Sequence, residues 1–255
     1  MKFKKPDSPL HERWGIGARS LFFFLIILFG CFETAHASLI GPSVQLAGLG
    51  GSDDHSSLSF DGTNYVLAWD TTSIGSSSLD IYAKVVNSSG AEIISLFPVN
   101  SGTNDQSFPS ISSSGAGTGL AVYQSYNGTD LDIVGNLVTY STTSTPAFTV
   151  GAPFIIAGGS GNQQYPSAAF DGTNFAVTYV DGGTAVKAII VSKTGTPGTP
   201  VTLGTVTFNA TPPSVLPQIA FSNSTIGRYL VVWEDFSSSA DVSGNIYGNT
   251  LTTAG

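Results

Sequence analysis

Residues 60–70 read Phe-Asp-Gly-Thr-Asn-Tyr-Val-Leu-Ala-Trp-Asp. Asp61 to Asn64 is a turn: glycine supplies a positive φ, and the Asp or Asn side chain bonds its own backbone. The run Tyr65 to Trp69 after it is apolar at nearly every position, not every second one. A strand with one wet face would alternate, so this one needs cover on both sides. Comparable runs close on an aromatic at Tyr123, Tyr179 and Trp233, with gaps of 54, 56 and 54 residues from Trp69 onward. A period of that length indicates an array of small β-sheets.

Each unit repeats one order of parts. A short first strand (58–60, 110–112, 167–170, 218–221) follows a proline in three units, at Pro109, Pro166 and Pro217. The apolar second strand comes next (65–69, 120–123, 175–179, 229–233). A polar loop leads to a third strand (80–86, 132–138, 186–191, 245–251). A less regular fourth strand occupies 93–99, 153–157 and 201–208. The expected architecture is all-β: a propeller-like ring of about four four-stranded blades, with repeats near 56–106, 107–164, 165–215 and 216–255. The last unit lacks a fourth strand, and Ser43 to Ala47 stands where one would precede the first unit. This strand is expected to complete the last blade and close the ring, hiding its edges. A larger ring built from two chains is the competing assembly.

Phe60 to Tyr65 through Trp69-Asp70, followed by Leu79-Asp80-Ile81-Tyr82-Ala83, resembles the repeat of secreted bacterial β-propeller proteins, of the form YDGTNYLVVWxD…DIYAxxV. Residues 170–179, 229–235 and 245–247 repeat parts of it; the second unit departs at Gly115 to Thr118, and the third lacks the Asp-Ile pair. The resemblance implies a propeller and export, and it implies no activity.

Residues 1–37 read as an export signal. Lys2, Lys4, Lys5, Arg13 and Arg19 lead into the apolar run 21–32, too short to span a bilayer, and Ala35-His36-Ala37 gives a small-x-small cleavage pattern. Lipidation at Cys31 is the second reading of the same leader. The expected location is secreted or periplasmic, in the cell envelope, with a domain over 38–255 and no membrane span in the mature chain. Cys31 is the only cysteine, so the mature chain has no thiol for disulfides, zinc or nucleophilic catalysis. From Ser38 onward there are 4 basic residues and 14 carboxylates, a net charge of −10. That balance repels phosphate backbones, so nucleic acid is excluded as a partner class.

Strand order places 11 of these carboxylates at one end of the strands: Asp53, Asp54, Asp70, Asp80, Asp105, Asp130, Asp132, Asp181, Glu234, Asp235 and Asp241. Asp61, Glu92 and Asp171 fall at the other. An acidic rim would concentrate cations or steer a basic partner, and calcium is the ion that oxygen ligands suit. The competing reading is that polar loops are acidic and solvated, with Asp80, Asp132 and Asn245 bonding backbone at turns or strand starts. Trp69, Tyr123, Tyr179 and Trp233 read as inter-blade core rather than sugar-stacking rings. His55, the one histidine after the leader, reads as a loop residue.

Two functional classes follow. The main expectation is a non-catalytic module that binds a protein or glycan through its acidic loop face, with no catalytic residue and no cofactor unless calcium. The alternative is a carbohydrate-active, glycosidase-like propeller using loop carboxylates such as Asp70 and Glu234, because glycoside cleavage needs two carboxyl groups. The first strands as assigned contain no Asp, Glu or His, which weighs against catalysis on the axis.

Overall fold

The computed structural model describes residues 43, 45–48, 51–72, 77–115, 117–141, 143, 147–207, 216–223, 227–235 and 244–253. The leader, Cys31 and Asp241 lie outside them. The chain divides after Val44, and the fold is that of the compact unit Gln45–Gly255.

The described residues form sixteen strands and no helix. They are β1 (Asp53–Phe60), β2 (Tyr65–Thr72), β3 (Leu79–Val86), β4 (Glu92–Asn100), β5 (Gln106–Gly115), β6 (Thr118–Tyr126), β7 (Leu131–Tyr140), β8 (Phe148–Val150), β9 (Phe154–Ala157), β10 (Gln163–Phe170), β11 (Asn174–Asp181), β12 (Ala185–Ser192), β13 (Val201–Thr205), β14 (Gln218–Ser222), β15 (Arg228–Asp235) and β16 (Asn245–Thr252). They make four antiparallel sheets, each in simple meander order: β1-β2-β3-β4, β5-β6-β7-β8 with β9 also on β7, β10-β11-β12-β13, and β14-β15-β16. We number them sheets 1 to 4. This is the expected all-β, propeller-like architecture.

The turn chemistry forms as the residues dictate. Asp61 Oδ1 accepts the N–H groups of Thr63 and Asn64 at 2.8 and 2.7 Å. Asp171 does the same for Thr173 and Asn174, both at 2.7 Å. Gly62 and Gly172 take φ of 98° and 99°, a region a side chain would strain.

Consecutive sheets pack face on face. One face of sheet 1 (Val66, Ala68, Ile81, Phe97) meets one face of sheet 2 (Ile111, Ala121, Tyr123). The opposite face of sheet 2 (Leu120, Val122, Ile133) meets sheet 3 (Phe175, Val177, Tyr179). The opposite face of sheet 3 meets Tyr229, Val231 and Trp233 of sheet 4. The aromatics that close the second strands are 0–6% exposed, as core side chains should be. Serine hydroxyls stitch the first strands together: Ser57 accepts Ile111 N–H at 3.1 Å, and Ser110 accepts Ala168 N–H at 3.1 Å.

One expectation is not confirmed and one is corrected. Among the described residues, Gln45 to Gly48 pairs with no strand and sheet 4 has three strands, so closure by Ser43 to Ala47 is not confirmed. Leu46 and Ala47 instead share a cavity with Leu67 and Trp69 of sheet 1. The first strands are also longer than 58–60, 110–112 and 167–170. Pro109 and Pro166 lie inside β5 and β10, where a bulge removes the need for an N–H.

Candidate functional site

The bulge builds the site. Register slips between Asp54 and Ser57 in β1, between Ser107 and Ser110 in β5, and between Gln164 and Ser167 in β10. The residue after each slip begins has a positive φ: His55 at 43°, Phe108 at 53° and Tyr165 at 56°. Such a backbone costs about 1–3 kcal/mol for a bulky residue, so its threefold recurrence marks a built feature of the repeat. These three side chains and Leu216 of the fourth unit line one funnel of about 200 Å³, where the four units converge. The rings touch in sequence. His55 lies 3.7 Å from Phe108 between centroids, and Phe108 meets Tyr165 edge-on at 4.9 Å. Burial pushes the Tyr165 phenol above its ordinary value, so it stays neutral.

His55 is held by Asp70. Its Nδ1 lies 2.9 Å from Asp70 Oδ2. An ionised carboxylate only accepts, so the ring donates from Nδ1, and the neutral form of that ring has its lone pair on Nε2. Asp70 is fully buried, and its Oδ2 also accepts Phe108 N–H at 2.8 Å. Its Oδ1 is buried with no hydrogen-bond partner among the described residues. A buried carboxylate with an idle oxygen costs stability, which points away from a purely structural role.

Sheet 2 supplies the internal control. Gln124 stands at the position of Asp70, opposite Ile133 as Asp70 is opposite Ile81. Its Oε1 accepts Tyr165 N–H at 3.2 Å, the same bond one sheet on. A neutral amide therefore suffices to tie one sheet to the next. The negative charge at Asp70, and the imidazole it orients, are additional to that task.

His55 also lines a second cavity of about 350 Å³ beside the funnel, with Asp53, Asp54 and Trp69. Asp54 is exposed and accepts the His55 N–H at 2.9 Å. Asp53 accepts Trp69 Nε1–H at 3.3 Å.

The ten described carboxylates of the expected rim stand near strand ends or in the loops beside them, and many turn inward to hold loops. Asp105 accepts Leu79 N–H at 3.0 Å, Asp130 accepts Gly161 N–H at 3.0 Å, and Asp235 accepts Thr207 N–H at 2.7 Å. Asp132 accepts Asn127 Nδ2–H at 2.9 Å. Asp80 and Asp132 are buried, while Glu234 stays exposed. Lys187 of β12 pairs with Asp181 at 2.5 Å. Burial alone would raise the Asp181 pKa. Hydrogen bonds from Lys187 and Gln163 and the lysine charge outweigh that and hold it below the usual carboxylate range. Among the described residues, no group of three or more His, Cys, Asp or Glu could hold a metal ion.

Sequence reading missed the His55–Asp70 pair because it began the first strand at Leu58, whereas β1 starts at Asp53. The signal was present in the alignment of Asp54-His55-Ser56-Ser57 with Ser107-Phe108-Pro109-Ser110 and Gln164-Tyr165-Pro166-Ser167. The prolines, taken as strand starts, mark a bulge within a longer strand.

No family model matches the chain, and neither does any curated protein. Solved structures do. A Hadza microbial sialidase matches with a TM-score of 0.52 at 12% identity, over 78% of this chain and 44% of that one. The catalytic domain of a GH62 alpha-L-arabinofuranosidase from Coprinopsis cinerea matches at 0.46 and 11%, over 84% and 68%. A native arabinanase of Bacillus subtilis matches at 0.47 and 14%, over 80% and 75%. At such identities the likeness concerns the fold, and the chain spans less than half of the sialidase. The expectation of a non-catalytic binding module is corrected at this point. The Hadza microbial sialidase, whose match reaches a TM-score of 0.52, is named for an activity on carbohydrates. The ground for setting catalysis aside has also gone, since Asp53, Asp54 and His55 stand on β1. Asp70 does not face an open cleft opposite Glu234, as the loop-carboxylate version required; it is fully buried and bonded to His55.

Proposed function

We propose that the chain is a carbohydrate-active, glycosidase-like propeller, exported from the cell, whose reaction centre lies around His55 where the first strands converge. One observation carries this reading: a buried carboxylate orients the imidazole at a position where the neighbouring sheet uses a neutral glutamine for the structural bond. The leader pattern of residues 1–37 supports export.

Hydrolysis of a glycoside adds water across the C–O bond, and one proton passes from the water to the leaving oxygen. His55 takes the water proton on Nε2 while Asp70 steadies the ring and the charge it gains. Asp54, exposed beside it, is the carboxyl group for the leaving oxygen. Phe108 and Tyr165 give an aromatic wall on which a sugar ring packs. A volume of about 200 Å³ holds one ring rather than a long chain, which points to terminal or side-chain sugars.

The test is hydrolysis of a panel of aryl glycosides that includes an alpha-L-arabinofuranoside and a sialoside, the sugars named by the proteins of like fold. His55→Ala and Asp54→Asn should each lower kcat/KM by about 10²-fold or more. Asp70→Asn should reduce kcat more than it changes KM, because it misorients the ring without removing it. Turnover that survives all three substitutions, or none on any glycoside, would refute the proposal.

A further inference from the structure

Inside the chain, one kind of junction is made three times. In each, one face of a sheet, called here the trailing face, packs on the leading face of the next. The trailing face carries the second-strand residues Val66, Leu120 and Ala176 and the third-strand residues Ile81, Ile133 and Val186. All six are 0–1% exposed. Ladder register identifies their counterparts in sheet 4 as Leu230 and Ile246. These are 51% and 70% exposed. The leading face shows the mirror situation. Ile111 of sheet 2 is 3% exposed, while its counterpart Leu58 in sheet 1 is 59% exposed and Phe60 beside it is 52% exposed. Leu46 and Ala47 lie at the Trp69 end of that face and leave Leu58 and Phe60 open.

We propose that these two surfaces are the halves of a fourth junction, made between copies of this chain: the trailing face of sheet 4 in one copy seats on the leading face of sheet 1 in the next. The occupant follows from the molecule itself. A trailing face is covered by a leading face at every junction within the chain, and the only uncovered leading face among the described residues is that of sheet 1. The contact is head to tail, so the two surfaces differ and each copy offers one of each. With a strand rise of about 3.3 Å and a spacing of about 4.8 Å, three or four strands of eight residues present roughly 400 Å². One junction then hides about 800 Å² in total, below the range of tight complexes, so association should depend steeply on concentration.

Sedimentation of the full chain across a concentration series tests this, with Leu58→Asp and Ile246→Asp as variants. Both sites are exposed, so the variants should keep the wild-type circular dichroism and melting temperature. The wild type should assemble beyond the monomer, and each variant alone should remain monomeric, because each lacks one of the two surfaces. An equimolar mixture of the variants should recover association and stop at two copies, joined by the single intact pair of faces. A wild type that stays monomeric at the highest concentration overturns the proposal. So does assembly that persists in both variants, as leader-driven association would, and so does a mixture that fails to pair.

Discussion

Leu120 and Leu230 occupy the same place in the repeat, one between two sheets and one on an open face, at 0% and 51% exposure. Truncating each to alanine isolates what sandwiching contributes. Leu120→Ala removes a side chain enclosed by Val122, Ile133, Phe175 and Val177, and a buried leucine lost to a cavity costs about 3–5 kcal/mol. For a domain of this size, 1 kcal/mol moves the midpoint by about 2–4 °C, so Leu120→Ala should lower Tm by roughly 6 °C or more. Leu230→Ala leaves no cavity and should cost no more than about 0.5 kcal/mol, roughly 2 °C. The assay is thermal unfolding by circular dichroism, run dilute enough that copies do not associate. Equal shifts for the two variants would refute the stacked-sheet account, because they would mean that Leu120 and Leu230 meet similar surroundings.

Three further outcomes are expected. Adding a Cβ at Gly204 would place it 2.5 Å from Trp233 Cζ2, so Gly204→Ala should destabilise by about 1–3 kcal/mol in chemical denaturation. Burial, eased by the Asn100 hydrogen bond, pushes the Tyr123 phenol up to about 12. Its contribution is complete below the unfolded value near 10 and is lost as pH rises through about 12. Stability should therefore fall on the order of 3 kcal/mol across that window, and less in Tyr123→Phe. Asp181 is held below the usual carboxylate range, so its contribution is present above the ordinary carboxylate pKa and is lost as pH falls through its folded value. Wild type should lose stability more steeply than Asp181→Asn in that acid window.

Much of the fold was legible because burial on both faces leaves a mark in composition. Residues 120–123 and 175–179 are apolar without alternation, and both runs are sandwiched. The same mark misled at the end of the array. Residues 229–233 are equally apolar, yet β15 alternates between buried and exposed because nothing described covers its second face. Composition records the need for cover and not its source, so it could suggest a pairing for Ser43 to Ala47 without fixing one. The site was less legible for a different reason. A bulge shifts register by inserting residues, and the backbone that turns His55 toward Asp70 has a positive φ that no local glycine announces. Fifteen residues separate the pair, and only ladder register brings them together. The inward bonds of Asp105, Asp130 and Asp235 were not legible, because they depend on which N–H groups the neighbouring loops leave idle.

The most direct measurement is the ¹⁵N spectrum of the histidine ring nitrogens, with and without a saturating glycoside. His55 is the one histidine beyond residue 37, so in a sample beginning at Ser38 its signals stand alone. The account predicts a neutral ring protonated at Nδ1, converted to an uninformative average by Asp70→Asn, with Nε2 shifting when sugar binds. A ring protonated at Nε2, or one indifferent to every sugar that the protein binds or cleaves, would contradict it.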